Sequence, residues 1–312
     1  MLKNNSDITF SESVKDELSR IKYSPAEMAI ILRSFLLNNL VISMSNTQKW
    51  EINSKLQSTI KLIHSFFSKL FNVKQEISFT EVGKFDNKRN YKLTITGDLE
   101  KIEKQIKLFN EWPKSSTPSE NKCFLIGAFL SGGSISSFAT KSTYSLSLRS
   151  KNKNYLIAAQ DILSKFNISV TIAERRNEHI LYIKKASSLS DFLKIIGTNN
   201  KMLEFEEIII ARDYINQMHR LVNLDVSNMR KTSSASVKYI TMINSIINTP
   251  EYNKQSAKFK TYCLLRKQNP GYSLDTLSKK MGDQKLPVTK GGINHLNMKI
   301  KKIYMSLNSK KL

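Results

Sequence analysis

The chain is poor in cysteine, in clustered histidine, in long apolar runs and in acidic side chains. Its two cysteines, Cys123 and Cys263, lie far apart in apolar helical patterns. Two buried thiols in a reducing compartment fit this pattern better than a disulfide framework. The four histidines, His64, His179, His219 and His295, cluster neither with each other nor with the cysteines, so no metal-ligand spacing exists and no cofactor is expected. The most apolar segment, Ala29 to Ser43, is broken by Arg33 and is too short to span a bilayer. Asp7, Glu12, Lys15, Asp16 and Glu17 stand where a signal peptide would place its apolar core. These features predict a cytoplasmic protein with no membrane partner.

The shortage of acid says most. Against 49 Lys and Arg stand 26 Asp and Glu, a net charge of +23 in 312 residues. The excess is uneven: residues 1–112 carry +4, residues 113–222 carry +6, and residues 223–312, with 17 bases and 4 acids, carry +13. A basic end of this kind is the electrostatic footprint of nucleic-acid binding.

Periodicity predicts an α+β chain built from one unit used twice. Phe10 to Leu18 reads as a lead-in helix with Ser11 as its cap, and 1–22 as an N-terminal helical segment. The first repeat, 23–112, opens at Ser24-Pro25 with a helix to Leu37. A hairpin follows over Leu40–Ser45 and Trp50–Asn53, then an amphipathic helix, Ser58 to Phe71. Strands Val73–Val82 and Tyr91–Thr96 flank a polar turn at Asp86–Asn90, and a last helix runs from Gly97-Asp98 to Phe109. The order is α-β-β-α-β-β-α. Residues 113–222 repeat it. The opening helix carries Gly127-Ala-Phe-Leu-Ser-Gly-Gly-Ser134, with Gly127 and Ser131 one turn apart, so another backbone can approach closely. A hairpin at Ile135–Phe138 and Tyr144–Leu148, a helix at Asn154–Phe166, strands Ile168–Ala173 and Ile180–Ile183 and a helix Ser188–Ile196 complete it.

A long helix follows from Lys201. The Asn-, Ser- and Thr-rich stretch 223–236 reads as a hinge, within a linker over 223–254. Residues 255–312 then form an all-α domain with a helix-turn-helix over about 273–306. Ser273 caps a helix bearing Leu274, Leu277 and Met281, and Thr289 caps the next, where Ile293, Leu296, Ile300, Ile303 and Leu307 fix a buried face. Lys290, Asn294, Asn297 and Lys301 step along another face, flanked by Lys299 and Lys302. Helix, turn and polar-basic helix is the layout that enters a major groove. There asparagine pairs with adenine edges while lysine meets phosphates.

The chain resembles the WhiA family over nearly its whole length. The resemblance rests on Phe10-Ser11 with Lys15 and Glu17-Leu18, on Gly127–Ser134, on Phe192-Leu-Lys-Ile-Ile-Gly197, and on Arg220-Leu-Val-Asn223. Asn228, Lys231-Thr232 and Gly292-Ile-Asn-His295 add to it. It implies two degenerate LAGLIDADG repeats, each αββαββα, followed by a helix-turn-helix domain. By resemblance the function is DNA-binding regulation of cell division and chromosome segregation, with transcription as the implied route, near the nucleoid. The implied partners are double-stranded DNA and other transcription or division proteins. The DNA-binding set is then Thr289, Lys290, Asn294, His295, Asn297, Lys299, Lys301 and Lys302. The tail departs from the family pattern at Leu296-Asn297-Met298, where relatives continue Asn-His with basic residues.

LAGLIDADG nucleases carry one metal-binding carboxylate at the end of each central helix, and the metal ions assist phosphodiester cleavage. Aligning on the motif puts Phe35 and Gly132 at those places, and no Asp or Glu occurs between Glu27 and Glu51 or between Glu120 and Asp161. No catalytic or metal-binding residue is therefore expected. An active endonuclease and an RNA-binding or structural adaptor are the alternative readings.

Overall fold

Two helices begin with the same chemical signature, Ser24-Pro-Ala-Glu27 and Thr117-Pro-Ser-Glu120. In the computed structural model each forms a capping box. The hydroxyl accepts the glutamate N–H, and the carboxylate accepts the cap N–H. Proline occupies the first turn, where its missing N–H costs nothing. These helices, α2 (Pro25–Asn39) and α5 (Pro118–Gly132), share the most extensive contact in the protein. The structure describes residues 8–44, 48–81, 89–113, 116–136 and 144–309, in two units divided between Ile210 and Ala211.

The first unit starts with α1 (Phe10–Arg20). After α2 come β1 (Leu40–Met44), β2 (Gln48–Ser54), α3 (Gln57–Leu70), β3 (Lys74–Glu81), β4 (Arg89–Thr96) and α4 (Leu99–Ile106). After α5 come β5 (Gly133–Ile135), β6 (Leu146–Ser150), α6 (Lys153–Lys165), β7 (Thr171–Arg175), β8 (Glu178–Ile183) and α7 (Ala186–Ile196). The two four-stranded antiparallel sheets have the same order, β1-β2-β4-β3 and β5-β6-β8-β7. The expected repeat is therefore present. Residues 86–88 of the predicted turn, Ser45, Val82 and the end of the predicted hairpin strand at 137–138 lie outside the described residues.

The caps Ser24 and Thr117 are 93 positions apart, and that offset pairs Ser34 with Gly127, Asn38 with Ser131 and Asn39 with Gly132. The first two pairs meet across the seam. A Cβ on Gly127 would fall 2.5 Å from the Ile31 carbonyl oxygen, 2.7 Å from Ser34 Cβ and 2.9 Å from the Phe35 nitrogen. The Asn38 amide donates to Ser131 Oγ at 3.0 Å. Ser34 donates to the Phe124 carbonyl at 2.7 Å, and the buried Tyr155 hydroxyl donates to the Ser34 carbonyl at 3.0 Å. Phe35, Phe124, Phe129 and Leu125 fill the seam, and both sheets close over it with Trp50, Ile52, Leu93, Leu146, Leu148 and Leu181.

The motif around α1 fastens this body together. Ser11 is buried, donating to the Ile135 carbonyl at 3.0 Å and accepting its N–H at 2.5 Å. The cap is Thr9, which forms the box with Glu12, not Ser11 as the sequence suggested; a hydroxyl committed to β5 cannot also cap α1. Lys15 donates to the Leu130 carbonyl in the last turn of α5, and desolvation pushes its ammonium down to about 8. Glu17 accepts the N–H groups of Asn200 and Lys201 at 3.1 and 3.0 Å, capping the start of α8 (Asn199–Ile246).

Helix α8 corrects the predicted linker. Residues 223–236 are helical, and α8 continues to Ile246, with only the remainder of 223–254 outside it. The reason is what the segment lacks: between Gly197 and Pro250 there is no glycine or proline to end a helix. Its hydroxyls fold back onto the helix, as where Thr241 donates to the Val237 carbonyl.

Gly127→Ala should lower the melting temperature of the first unit. Overpacking against backbone atoms costs about 1–3 kcal/mol and outweighs a helix-propensity gain of about 1 kcal/mol. Gly282, whose Cβ would meet nothing within 4 Å, provides the contrast. Gly282→Ala should stabilise by about 0.5–1 kcal/mol in the same thermal assay. Glu17→Ala should cost about 1–2 kcal/mol in chemical denaturation by uncapping α8.

Candidate nucleic-acid interface

From Ala211 the second unit comprises the rest of α8, then α9 (Pro250–Asn253), α10 (Ala257–Gln268), α11 (Leu274–Asp283) and α12 (Lys290–Ser309). Its core joins Ile243 and Ile246 of α8 to Tyr252, Phe259, Tyr262, Cys263, Leu277, Met281, Ile293, Ile300 and Ile303. The end of α8 is thus part of this unit's core, which moves the domain's start well before residue 255.

Each helix begins at a side-chain cap: Thr249, Ser256, Ser273 and, through its bond from the Gly292 N–H at 3.2 Å, Thr289. Between α11 and α12 the chain turns at Lys285, which adopts a left-handed φ of 61°. Lys258 of α10 donates to the Pro287 carbonyl at 2.7 Å, and Ser278 of α11 donates to the Val288 carbonyl. Arg266, fully buried, donates to the Tyr272 carbonyl at 2.7 Å and so holds the approach to α11. Burial lowers the pKa of that guanidinium. These bonds fix the pose of α12.

The pose sorts the predicted residues. Asn294, His295, Lys301 and Lys302 face solvent, together with Met298, which is 71% exposed. Thr289 is exposed and serves as the cap. Lys290 is exposed but paired with Asp275 at 2.9 Å. Lys299 is half-buried, its ammonium 5.5 Å from the centre of the Phe259 ring. Asn297 is corrected: it is 4% exposed and its side-chain oxygen accepts the Tyr262 hydroxyl at 2.6 Å, so it reaches no base edge. Burial pushes that tyrosine up to about 12. The spacing of Asn297 with Lys290, Asn294 and Lys301 predicts an outward side chain, but its buried partner Tyr262 lies 35 residues away. Sequence reasoning also missed Arg230, Lys231 and Lys238 of α8, which lie beside Lys301. The acid-free stretch 226–250 was the available signal.

At the other end of the resemblance, the helix ends in the first unit carry amides, a hydroxyl and glycine. Phe35 is corrected too. It is fully buried in the seam four residues before the end of α2, and the counterpart of Gly132 is Asn39. The Asn39 amide donates to the Asn53 carbonyl at 3.0 Å, and Asn38 also donates to the Arg149 carbonyl at 2.9 Å. A Cβ on Gly132 would collide with that same Arg149 carbonyl oxygen and with the Asn38 amide. With no carboxylate to offset a divalent charge and both amides donating to carbonyls, this set does not fit a divalent ion. The backbone of β6 occupies the place where such a side chain would stand.

Residues 121–215 match the WhiA LAGLIDADG-like domain, and residues 218–304 match the WhiA C-terminal HTH domain, together more than half of the chain. Two relatives, each named a probable cell division protein WhiA, align almost end to end. That of Lacticaseibacillus paracasei is 29% identical, covering 95% of this chain and 96% of its own. That of Staphylococcus carnosus is 29% identical, covering 97% and 98%. The crystal structure of full-length WhiA from Thermatoga maritima superposes with a TM-score of 0.60 at 25% identity, covering 96% of this chain and 98% of that one. With a LAGLIDADG-like body of two four-stranded sheets and a helical HTH unit, each matched in its own right, the chain belongs to the WhiA family.

Proposed function

We propose that this chain is a non-catalytic regulator that binds double-stranded DNA and acts in cell division and chromosome segregation through control of transcription. The observation that carries the reading is the outward face of α12: Asn294, His295, Lys301 and Lys302 exposed on a helix posed by side-chain bonds from α10 and α11. After Asp283 the chain contains no acidic residue, so no carboxylate on this helix repels a phosphate backbone. In this reading Asn294 and His295 reach base edges and Lys301 and Lys302 reach phosphates, with Lys299 flanking and Thr289 and Lys290 setting the helix start. The lack of catalysis is supported by the ends of α2 and α5. They offer no carboxylate, and Gly132 has no room for one. A cytoplasmic, nucleoid-associated location follows from the ligand, and transcription or division proteins are the partners such a regulator would serve.

Fluorescence anisotropy with duplex DNA tests the assignment. Lys302→Ala should weaken binding alike on every sequence and reduce the salt dependence by about one counterion. Asn294→Ala should cost about 1–3 kcal/mol on the preferred site and little on unrelated duplex. Unchanged binding by a Lys301→Glu, Lys302→Glu double variant would remove α12 as the docking element.

A further inference from the structure

One face of α8 in the second unit carries an arrangement that the helix-turn-helix reading leaves unused. Lys231, Ser234, Ala235, Lys238, Tyr239 and Met242 recur at helical spacing, with Arg230 beside them, and line a cleft of about 510 Å³. Lys301 of α12 lines it from the other side. Four cations thus surround one concavity, with hydroxyls of Ser234 and Tyr239 among them and Met242 and Ala235 as apolar lining.

The cleft has no internal counter-charge. Residues 226–250 and 284–312, which contain both walls, hold no Asp or Glu. Among the described residues none of the four cations is ion-paired. Like charges gathered in a concavity repel one another and focus a positive potential, which an anion relieves.

Its position sets the kind of anion. Lys301 is seven residues from Asn294 and so lies on the same face of α12, about 10 Å further along at 1.5 Å per residue. The major groove is about 12 Å wide. A helix that crosses the groove with Asn294 over the base edges brings Lys301, and the cleft beside it, to the flanking phosphates.

We infer that this cleft is a phosphate-binding site in which Arg230, Lys231 and Lys238 of α8 grip the backbone of the duplex whose bases α12 reads. The inference rests on the proposed DNA binding. It adds a second contacting element, α8, to the helix-turn-helix.

The test uses the full chain and an Arg230→Gln, Lys238→Gln double variant. Both positions are exposed, and glutamine is a good helix former, so folding is preserved. Duplex affinity is measured by anisotropy from about 50 to 200 mM salt. Each lost phosphate contact reduces the slope of log K against log salt by about 0.9, so across that range the variant should lose about tenfold less affinity than the wild type. The weakening should be equal on preferred and unrelated duplexes. A wild-type chain that binds the duplex alongside a variant with the wild-type slope overturns the cleft assignment alone. A wild-type chain that binds no duplex overturns the DNA-binding reading and this inference with it. Titration with ATP separates the sources of phosphate: binding that the variant loses while its DNA slope stays unchanged assigns the cleft to a free nucleotide and overturns the duplex contact.

Discussion

The structure of the first unit depends on how closely two helix backbones approach at Gly127. No side chain fits there, because the Ile31 carbonyl, Ser34 and the Phe35 nitrogen already occupy the space. That approach lets the counterparts Ser34 and Gly127, and Asn38 and Ser131, face one another across the seam. It also decides the chemistry at the end of the seam. With α2 and α5 this close, Asn38 reaches the Arg149 carbonyl, and β6 runs where a nuclease would project an acid from position 132. The packing that makes the two repeats one body fills the place where hydrolysis would need metal-bound oxygen.

The second unit meets a different constraint. A basic helix must be held firmly enough to present one face, although its own charges repel. Neutral and cationic groups from neighbouring elements do this. Tyr262 holds Asn297 from inside, Lys258 and Ser278 hold the preceding turn, and Arg266 holds the segment before α11. With these bonds satisfied within the unit, Asn294, His295, Met298 and Lys302 are left outward.

Much of the fold was legible because its signals are local. Hydrophobic period and cap residues located nearly every helix, and equal element order disclosed the repeat. What failed depended on partners distant in sequence. Ser11 looks like a cap until its hydroxyl is seen bonded to Ile135, and Asn297 looks like a base reader until Tyr262 is seen behind it. Phe35 was placed at the helix end because alignment on a motif gives no register; the matching caps Ser24 and Thr117 give it, and they point to Asn39. The predicted linker failed for a compositional reason. Asn, Ser and Thr weaken a helix, but without glycine or proline they do not end it.

We propose that this LAGLIDADG-like body has exchanged cleavage for packing and that the chain binds DNA. The most direct test is incubation of the purified full-length protein with supercoiled plasmid and magnesium or manganese, followed on the same gel by mobility and topology. The expected result is a retarded plasmid that remains supercoiled after the protein is removed. Nicked or linear product that tracks the purified protein would contradict it.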